Sequence, residues 1–247
     1  MSTHRSEMRM FNPLARKRGP SVTDQIKDFI LSNNLRPGDI MPTEAAISAE
    51  LDVSRSSVRE AMRTLAALDI VEIRHGYGTY VGEISLAPLV EGLVFRGVMS
   101  PENNFSALRE VVEIREVLDL AMADQVVNSL VGATDPELHD LVAMMEDLAA
   151  RKESFAEADN AFHQRILSRL DNQLVGQLST AFWEVHTVVY PLLGLPPAHD
   201  ISETAHAHGL MLNAAENGDI TAYKEAVILH YQPLRRSIDK ALASPDA

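Results

Sequence analysis

The chain contains no cysteine, so it can form neither a disulfide nor a thiolate metal site, which fits a reducing compartment. It also lacks any apolar run of the roughly 18 residues a membrane helix needs. The richest stretch, 86–99, already contains Glu91 and Arg96. The N-terminus is basic but has no apolar segment behind it, which argues against a secretory signal. No internal repeat or low-complexity run is present. The expectation is therefore a cytoplasmic protein without a membrane segment. Net positive charge is absent as well. A formal charge of −13 over 247 residues reads at first as unfavourable for nucleic-acid binding. That reading does not survive division of the chain. Residues 1–85 hold 11 Lys+Arg and 11 Asp+Glu, whereas residues 86–247 hold the other 11 basic and 24 acidic residues. Seven of the nine histidines lie in the acidic part. The asymmetry implies two domains with different tasks, and 46% hydrophobic residues suffice for sizeable cores.

Residues 1–19 are polar and basic and read as a flexible arm. From Pro20, Val22, Ile26, Phe29 and Ile30 share a helical face that Asn33-Asn34 ends. Leu35-Arg36-Pro37-Gly38 is a turn, and Pro42-Thr43-Glu44 opens a second short helix with Ala46, Ile47 and Leu51 inward. After Asp52-Val53, Ser54 is placed to N-cap a third helix. Its spacing puts Val58, Ala61, Leu65 and Leu68 on one side and Arg55, Arg59 and Arg63 on the other, with Ser56 close by. Guanidinium forks and hydroxyls suit phosphate oxygens and guanine acceptors, although an isolated helix of this kind is more often a solvated basic face, and its surroundings reverse that. Ile70 to Arg74 alternates, His75-Gly76-Tyr77-Gly78 supplies turn residues, and Thr79-Tyr80-Val81 resumes extended character. A hairpin after the third helix makes a winged helix-turn-helix over residues 20–82.

These residues resemble the winged helix-turn-helix of the GntR family of bacterial transcription regulators. The matching marks are Leu35-Arg36-Pro37-Gly38, Pro42-Thr43-Glu44, Val53-Ser54-Arg55, Val58-Arg59-Glu60-Ala61 and Arg74 to Val81. The resemblance implies that Ser54, Arg55, Ser56, Ser57 and Arg59 face DNA and that His75 and Gly76 place the wing tip in the minor groove. Where many relatives carry Arg or Lys after Glu44, this chain has Ala45, so more of the base reading would fall to Arg55 and Arg59.

Residues 83–101 read as a linker and a first helix, and residues 102–243 as a helical bundle. Turn residues separate helices near 86–98, 105–130, 136–150, 153–170, 173–191, 200–216 and 220–241. The fold class is therefore mainly α: a winged helix-turn-helix of three helices plus a β-hairpin, then an all-α antiparallel bundle of six or seven helices. Asp159 and His163, four residues apart, fall inside the apolar arc of Phe155, Ala158, Phe162, Ile166 and Leu170. His208 shares a face with Met211, Leu212 and Ala215, and His230 with Tyr223, Val227 and Leu234. A single inward histidine is ordinarily a satisfied core residue, and an Asp–His pair is ordinarily a hydrogen bond. Four such groups from three helices make a ready first-row metal site. Arg115 also faces inward, either paired with Asp119 one turn on or free to hold an anion. His186 is inward among Val175, Phe182 and Val189, as a pocket-lining or a core histidine.

Residues 102–240 resemble the FCD ligand-binding domain of the FadR subfamily. The marks are Glu113-x-Arg115, Asp159-x-x-Phe162-His163, Asn172, His208-x-x-Met211-Leu212, Gly218-Asp219 and His230. The resemblance implies a divalent ion, zinc first with nickel, manganese or iron as alternatives, held by Asp159, His163, His208 and His230. It implies a small carboxylic acid effector held by Arg115, with His186 at the pocket, and a homodimer on palindromic operator DNA. Two other readings stay open at this point: a metalloenzyme built on the same four ligands, and a regulator whose metal is structural or is itself the signal. The function expected is that of an effector-controlled transcription regulator, a repressor, and no enzyme.

Overall fold

The computed structural model describes residues 20–99, 106–192 and 201–243; the expected N-terminal arm lies outside them. The chain divides into two compact units, 1–85 and 86–247. Among the described residues no helix is long and apolar enough to cross a membrane.

The first unit holds α1 (Val22–Ser32), α2 (Glu44–Glu50), α3 (Arg55–Ala67), β1 (Val71–Arg74) and β2 (Gly78–Val81). Each helix starts at a hydroxyl cap: Ser21 accepts from the Asp24 amide, Thr43 from Ala46 and Ser54 from Ser57. Such caps satisfy amides that the first turn leaves free. Ile26, Ile30, Ile47, Val58, Ala61, Met62 and Leu65 close the core with Val71 and Val81 of the hairpin. Periodicity placed Leu68 inward, but α3 ends at Ala67 and Asp69 takes a positive φ of 55°, so the chain turns and Leu68 is 45% exposed. Met62 fills the core beside Leu65 instead. The hairpin pairs Val71 with Val81 and Arg74 with Gly78 in antiparallel register. Beyond it the chain folds back on the end of α3: the Gly82 amide bonds to the Ile70 carbonyl, Ile84 to the Asp69 carbonyl and Ser85 to the Asp69 carboxylate. Gly82 is required there, since a Cβ would stand 2.4 Å from the Asp69 carbonyl oxygen.

The second unit is all helical among its described residues: α4 (Ala87–Val98), α5 (Ser106–Leu130), α6 (Pro136–Ala150), α7 (Ala156–Leu167), α8 (Gln173–Leu192), α9 (Ile201–Asn217) and α10 (Ile220–Leu242). α9 packs on α10, α6 and α5, while α8 packs on α4, α5 and α7. Leu108, Val112, Val127, Leu138, Met145, Phe162, Ile166, Met211 and Tyr231 form its buried core.

An ionic knot fixes α7 against α6. Asp135 caps α6 by accepting from the Glu137 and Leu138 amides, and both its oxygens accept from Arg165 Nε at 2.9 Å. Arg169 reaches the same carboxylate. Burial opposes the charge on Asp135, but the two guanidinium groups and the amide outweigh it and lower its pKa from 3.8 to about 2. A carboxylate depressed on folding stabilises the fold above its unfolded pKa, and the gain is lost as the pH falls through the folded value. Asp135→Asn is therefore expected to lower unfolding free energy at neutral pH by about 2 kcal/mol, from roughly two pKa units. In urea titrations the gap between wild type and variant should close between pH 4 and about 2; a gap that does not change with pH would show that the charge is not what stabilises the knot.

Candidate functional site

In the second unit α7 carries Asp159 and His163 one turn apart, α9 carries His208 and α10 carries His230. The three histidines are buried, and the Asp159 side chain is 13% exposed. One candidate ligand atom from each of the four lies within 4.8 Å of all the others. The rings stand with centroids 4.5 Å (His208–His230), 5.0 Å (His163–His230) and 5.4 Å (His163–His208) apart. Phe162 meets His163 and His208 edge-on and closes the site on its apolar side.

The hydrogen-bond roles decide what such a cluster can do. His208 Nδ1 lies 2.8 Å from the Thr204 carbonyl, which can only accept, so Nδ1 carries the proton. In the neutral ring Nε2 then offers a lone pair, and it faces Asp159 Oδ1 at 2.9 Å. Two acceptors at that distance need positive charge against them, a proton or a metal ion. His163 Nε2, 3.7 Å from the same oxygen, and His230 Nδ1 are buried without a hydrogen-bond partner. Burial pushes the pKa values of His163 and His230 down, reinforced at His230 by the neighbouring rings. Burial also opposes ionisation of Asp159, and its carboxyl is held well below its usual range only by positive charge at the histidines, a proton on His208 Nε2 first, in the place a metal ion would take. Imidazole nitrogens and a carboxylate gathered this closely fit a first-row divalent cation.

Arg115 on α5 is 3% exposed, with Nε unpartnered and its guanidinium carbon 5.5 Å from the Tyr231 ring centroid. The alternative of a pair with Asp119 is not realised. Asp119 Oδ2 instead accepts from the Tyr231 hydroxyl at 2.7 Å and lies 3.8 Å from His163 Nδ1. Among the described residues no carboxylate comes within ion-pair distance of Arg115. Burial works against its charge, but Tyr231, Asp159 and Asp119 nearby keep it protonated. His186 lies on α8, and its side chain is outside the described residues.

The second candidate surface is on the first unit. Ser54, Arg55, Ser56, Ser57 and Arg59 are all exposed along the start of α3. The Ser54 hydroxyl accepts from the Ser57 amide at 3.1 Å and lies 2.8 Å from the hydroxyls of both Ser56 and Ser57. Arg59 Nε donates to Glu44 Oε2 of α2 at 3.2 Å, which leaves its outer nitrogens free of that bond, and Arg55 makes no ion pair among the described residues. His75 and Gly76 are exposed at the wing tip, where Gly76 takes φ +81° and the Tyr77 amide closes the turn onto the Arg74 carbonyl. Ala45 is exposed on α2 beside Glu44.

The model of the bacterial regulatory proteins of the gntR family matches residues 20–81, and the FCD domain model matches residues 110–233. The chain belongs to the GntR family, FCD type. It is similar to the HTH-type transcriptional regulator LutR of Bacillus subtilis (strain 168), at 30% identity over 150 residues, 61% of this chain and 67% of that protein. It is also similar to the galactonate operon transcriptional repressor of Escherichia coli (strain K12), at 23% identity over 196 residues, 78% of this chain and 84% of that one. The solved structure of Streptococcus agalactiae GntR superposes with a TM-score of 0.59 at 25% identity, covering 87% of this chain and 98% of that one. This GntR-family chain is thus a DNA-binding transcription regulator and not an enzyme, which removes the metalloenzyme reading.

Sequence reasoning missed the residues that hold the cluster in place. Trp183 donates to Asp159, Tyr231 to Asp119, and the Thr204 carbonyl fixes the His208 tautomer. Only Thr204, one helical turn before His208, had a local signal. On the DNA side, Ser54→Ala removes the cap of α3 and is expected to lower stability by about 1 kcal/mol in urea unfolding; a loss under about 0.3 kcal/mol would mean that Ser56 or Ser57 takes over the cap.

Proposed function

We propose that this regulator is a cytoplasmic repressor that binds a palindromic operator as a homodimer and loses operator affinity when a small carboxylic acid occupies the bundle. The supporting observation is a buried cluster of ligand atoms, His163, His208 and His230 with Asp159, in the same core as Arg115, whose Nε has no partner and which no described carboxylate pairs. Asp159, His163, His208 and His230 would hold a divalent cation, zinc first, which when bound neutralises the carboxylate and offers a Lewis-acid position to an anionic oxygen. Arg115 would bind the acid through its guanidinium fork, and His186 would stand at the same pocket. Galactonate, which names one relative's operon, is itself a carboxylate.

On the DNA side Arg55 and Arg59 would read bases in the major groove, Ser54, Ser56 and Ser57 would bind phosphates, and His75 with Gly76 would enter the minor groove beside it. The first unit has balanced charge and the second a net of −13. Operator binding then depends on local phosphate neutralisation, so log affinity should fall steeply with log salt, by a slope of about 0.9 per neutralised phosphate. A flat response in a fluorescence-anisotropy titration would sink the DNA-contact assignment.

For the effector, metal-loaded protein is expected to gain about 2.7 kcal/mol at an acid concentration of 100 Kd, seen as a thermal shift. Arg115→Ala should keep the shift produced by zinc or nickel alone and lose that produced by acids. Equal stabilisation by acids in the variant would remove Arg115 from the effector site. The coupling must also be reciprocal, so operator DNA should weaken acid binding by the same factor as acid weakens operator binding.

A further inference from the structure

Asp159 has two carboxylate oxygens, and only one of them faces the histidines. Oδ1 lies 2.9 Å from His208 Nε2 and 3.7 Å from His163 Nε2. Oδ2 accepts a hydrogen bond from the indole Nε1 of Trp183 at 2.9 Å. Trp183 stands on α8, a different helix from the three that carry the cluster, and α8 packs directly on α7. An indole N–H can only donate. A carboxylate oxygen accepting from an N–H makes a charge-assisted bond, stronger than a neutral one. It also fixes the rotation of the carboxylate, since Oδ2 cannot turn toward the histidines without breaking it.

We propose that Trp183 is a positioning residue for the cation site. It holds Oδ2 away from the histidines and Oδ1 toward them, so that Asp159 would offer a cation one carboxylate oxygen and not two. This deepens the cation reading of the preceding subsection and rests on it. The consequence is selectivity. A carboxylate free to rotate can chelate with both oxygens, which suits oxygen-preferring ions such as manganese. A pinned carboxylate beside three imidazoles favours zinc or nickel. If the bond served only to tie α7 to α8, its loss would weaken all ions alike.

The sequence contains a single tryptophan, so the test can be made on one atom. Full-length protein from a tryptophan auxotroph grown on benzothienylalanine replaces the indole N–H by sulfur at position 183 alone and nearly preserves ring shape. Calorimetric titrations of the metal-free chain with zinc, nickel and manganese would be read beside the visible spectrum of the cobalt-loaded form, with Trp183→Phe as a second variant. Zinc and nickel affinities should fall about 10- to 100-fold, as expected for loss of a group that orients a ligand. Manganese affinity should fall less, and the cobalt bands should move. Unchanged affinities with an unchanged cobalt spectrum would overturn the assignment, as would an equal fall for all three metals. If the unmodified chain binds none of these ions, the cation reading fails first and the role of Trp183 with it.

Discussion

The second unit is organised around a confrontation of lone pairs, Asp159 Oδ1 against His208 Nε2 at 2.9 Å, inside a packed helical core. Each buried polar atom without a partner costs about 1–3 kcal/mol, and His163 Nε2 and His230 Nδ1 add to the load. An apolar bundle of the same volume would be more stable, so the surrounding structure must hold these groups in place. It does so from outside the cluster: the Thr204 carbonyl sets the His208 tautomer, Trp183 donates to the Asp159 carboxylate, and Phe162 packs edge-on against the His208 ring. The Asp135 knot fixes the C-terminal end of α7, and α7 supplies both Asp159 and His163.

A second layer follows from the charge of Arg115. A buried guanidinium normally finds a carboxylate, and the nearest candidate on its own helix, Asp119, is taken by the Tyr231 hydroxyl. Burial, with Asp119 adding to it, keeps that phenol protonated, so its proton goes to Asp119. Tyr231 therefore does two things. It satisfies Asp119 beside His163, and it presents its ring to Arg115 without neutralising it. Among the described residues no carboxylate pairs with the guanidinium, and Asp119 and Asp159 act on its charge from longer range.

What could be read from the chain alone was what is local. Helix starts follow from Ser21, Thr43, Ser54, Asp135 and Asp219, whose side chains cap within three residues of themselves. The wing follows from glycines that take positive φ. The inward direction of Asp159, His163, His208 and His230 follows from their spacing against apolar neighbours on the same helix. α7 was read from 153 but begins at Ala156, because Lys152 takes a positive φ of 59° and the Ser154 hydroxyl accepts from the Ala156 amide, so 152–155 form a turn. The partners that complete the site leave no such mark. Trp183 is 24 residues from Asp159 and Tyr231 is 112 from Asp119, and neither distance corresponds to any periodicity. The resemblance of the whole chain to its family named Arg115, but whether Asp119 neutralises it depended on a side chain from another helix.

The same reasoning bears on how a bound acid would be felt elsewhere. Within the second unit α8 carries Trp183 and packs on α4, where Gly97 leaves room for Val189: a Cβ there would stand 3.5 Å from both of its methyls. α4 begins at Ala87, and the chain before it is bonded back to Asp69 as far as Ser85. Packed cores move between discrete arrangements and do not deform continuously, so within the second unit a shift of α8 would be met by α4 at this contact. The contact between Gly97 and Val189 is thus the place where a larger side chain would disturb the packing of α8 on α4 without touching the four candidate cation ligands.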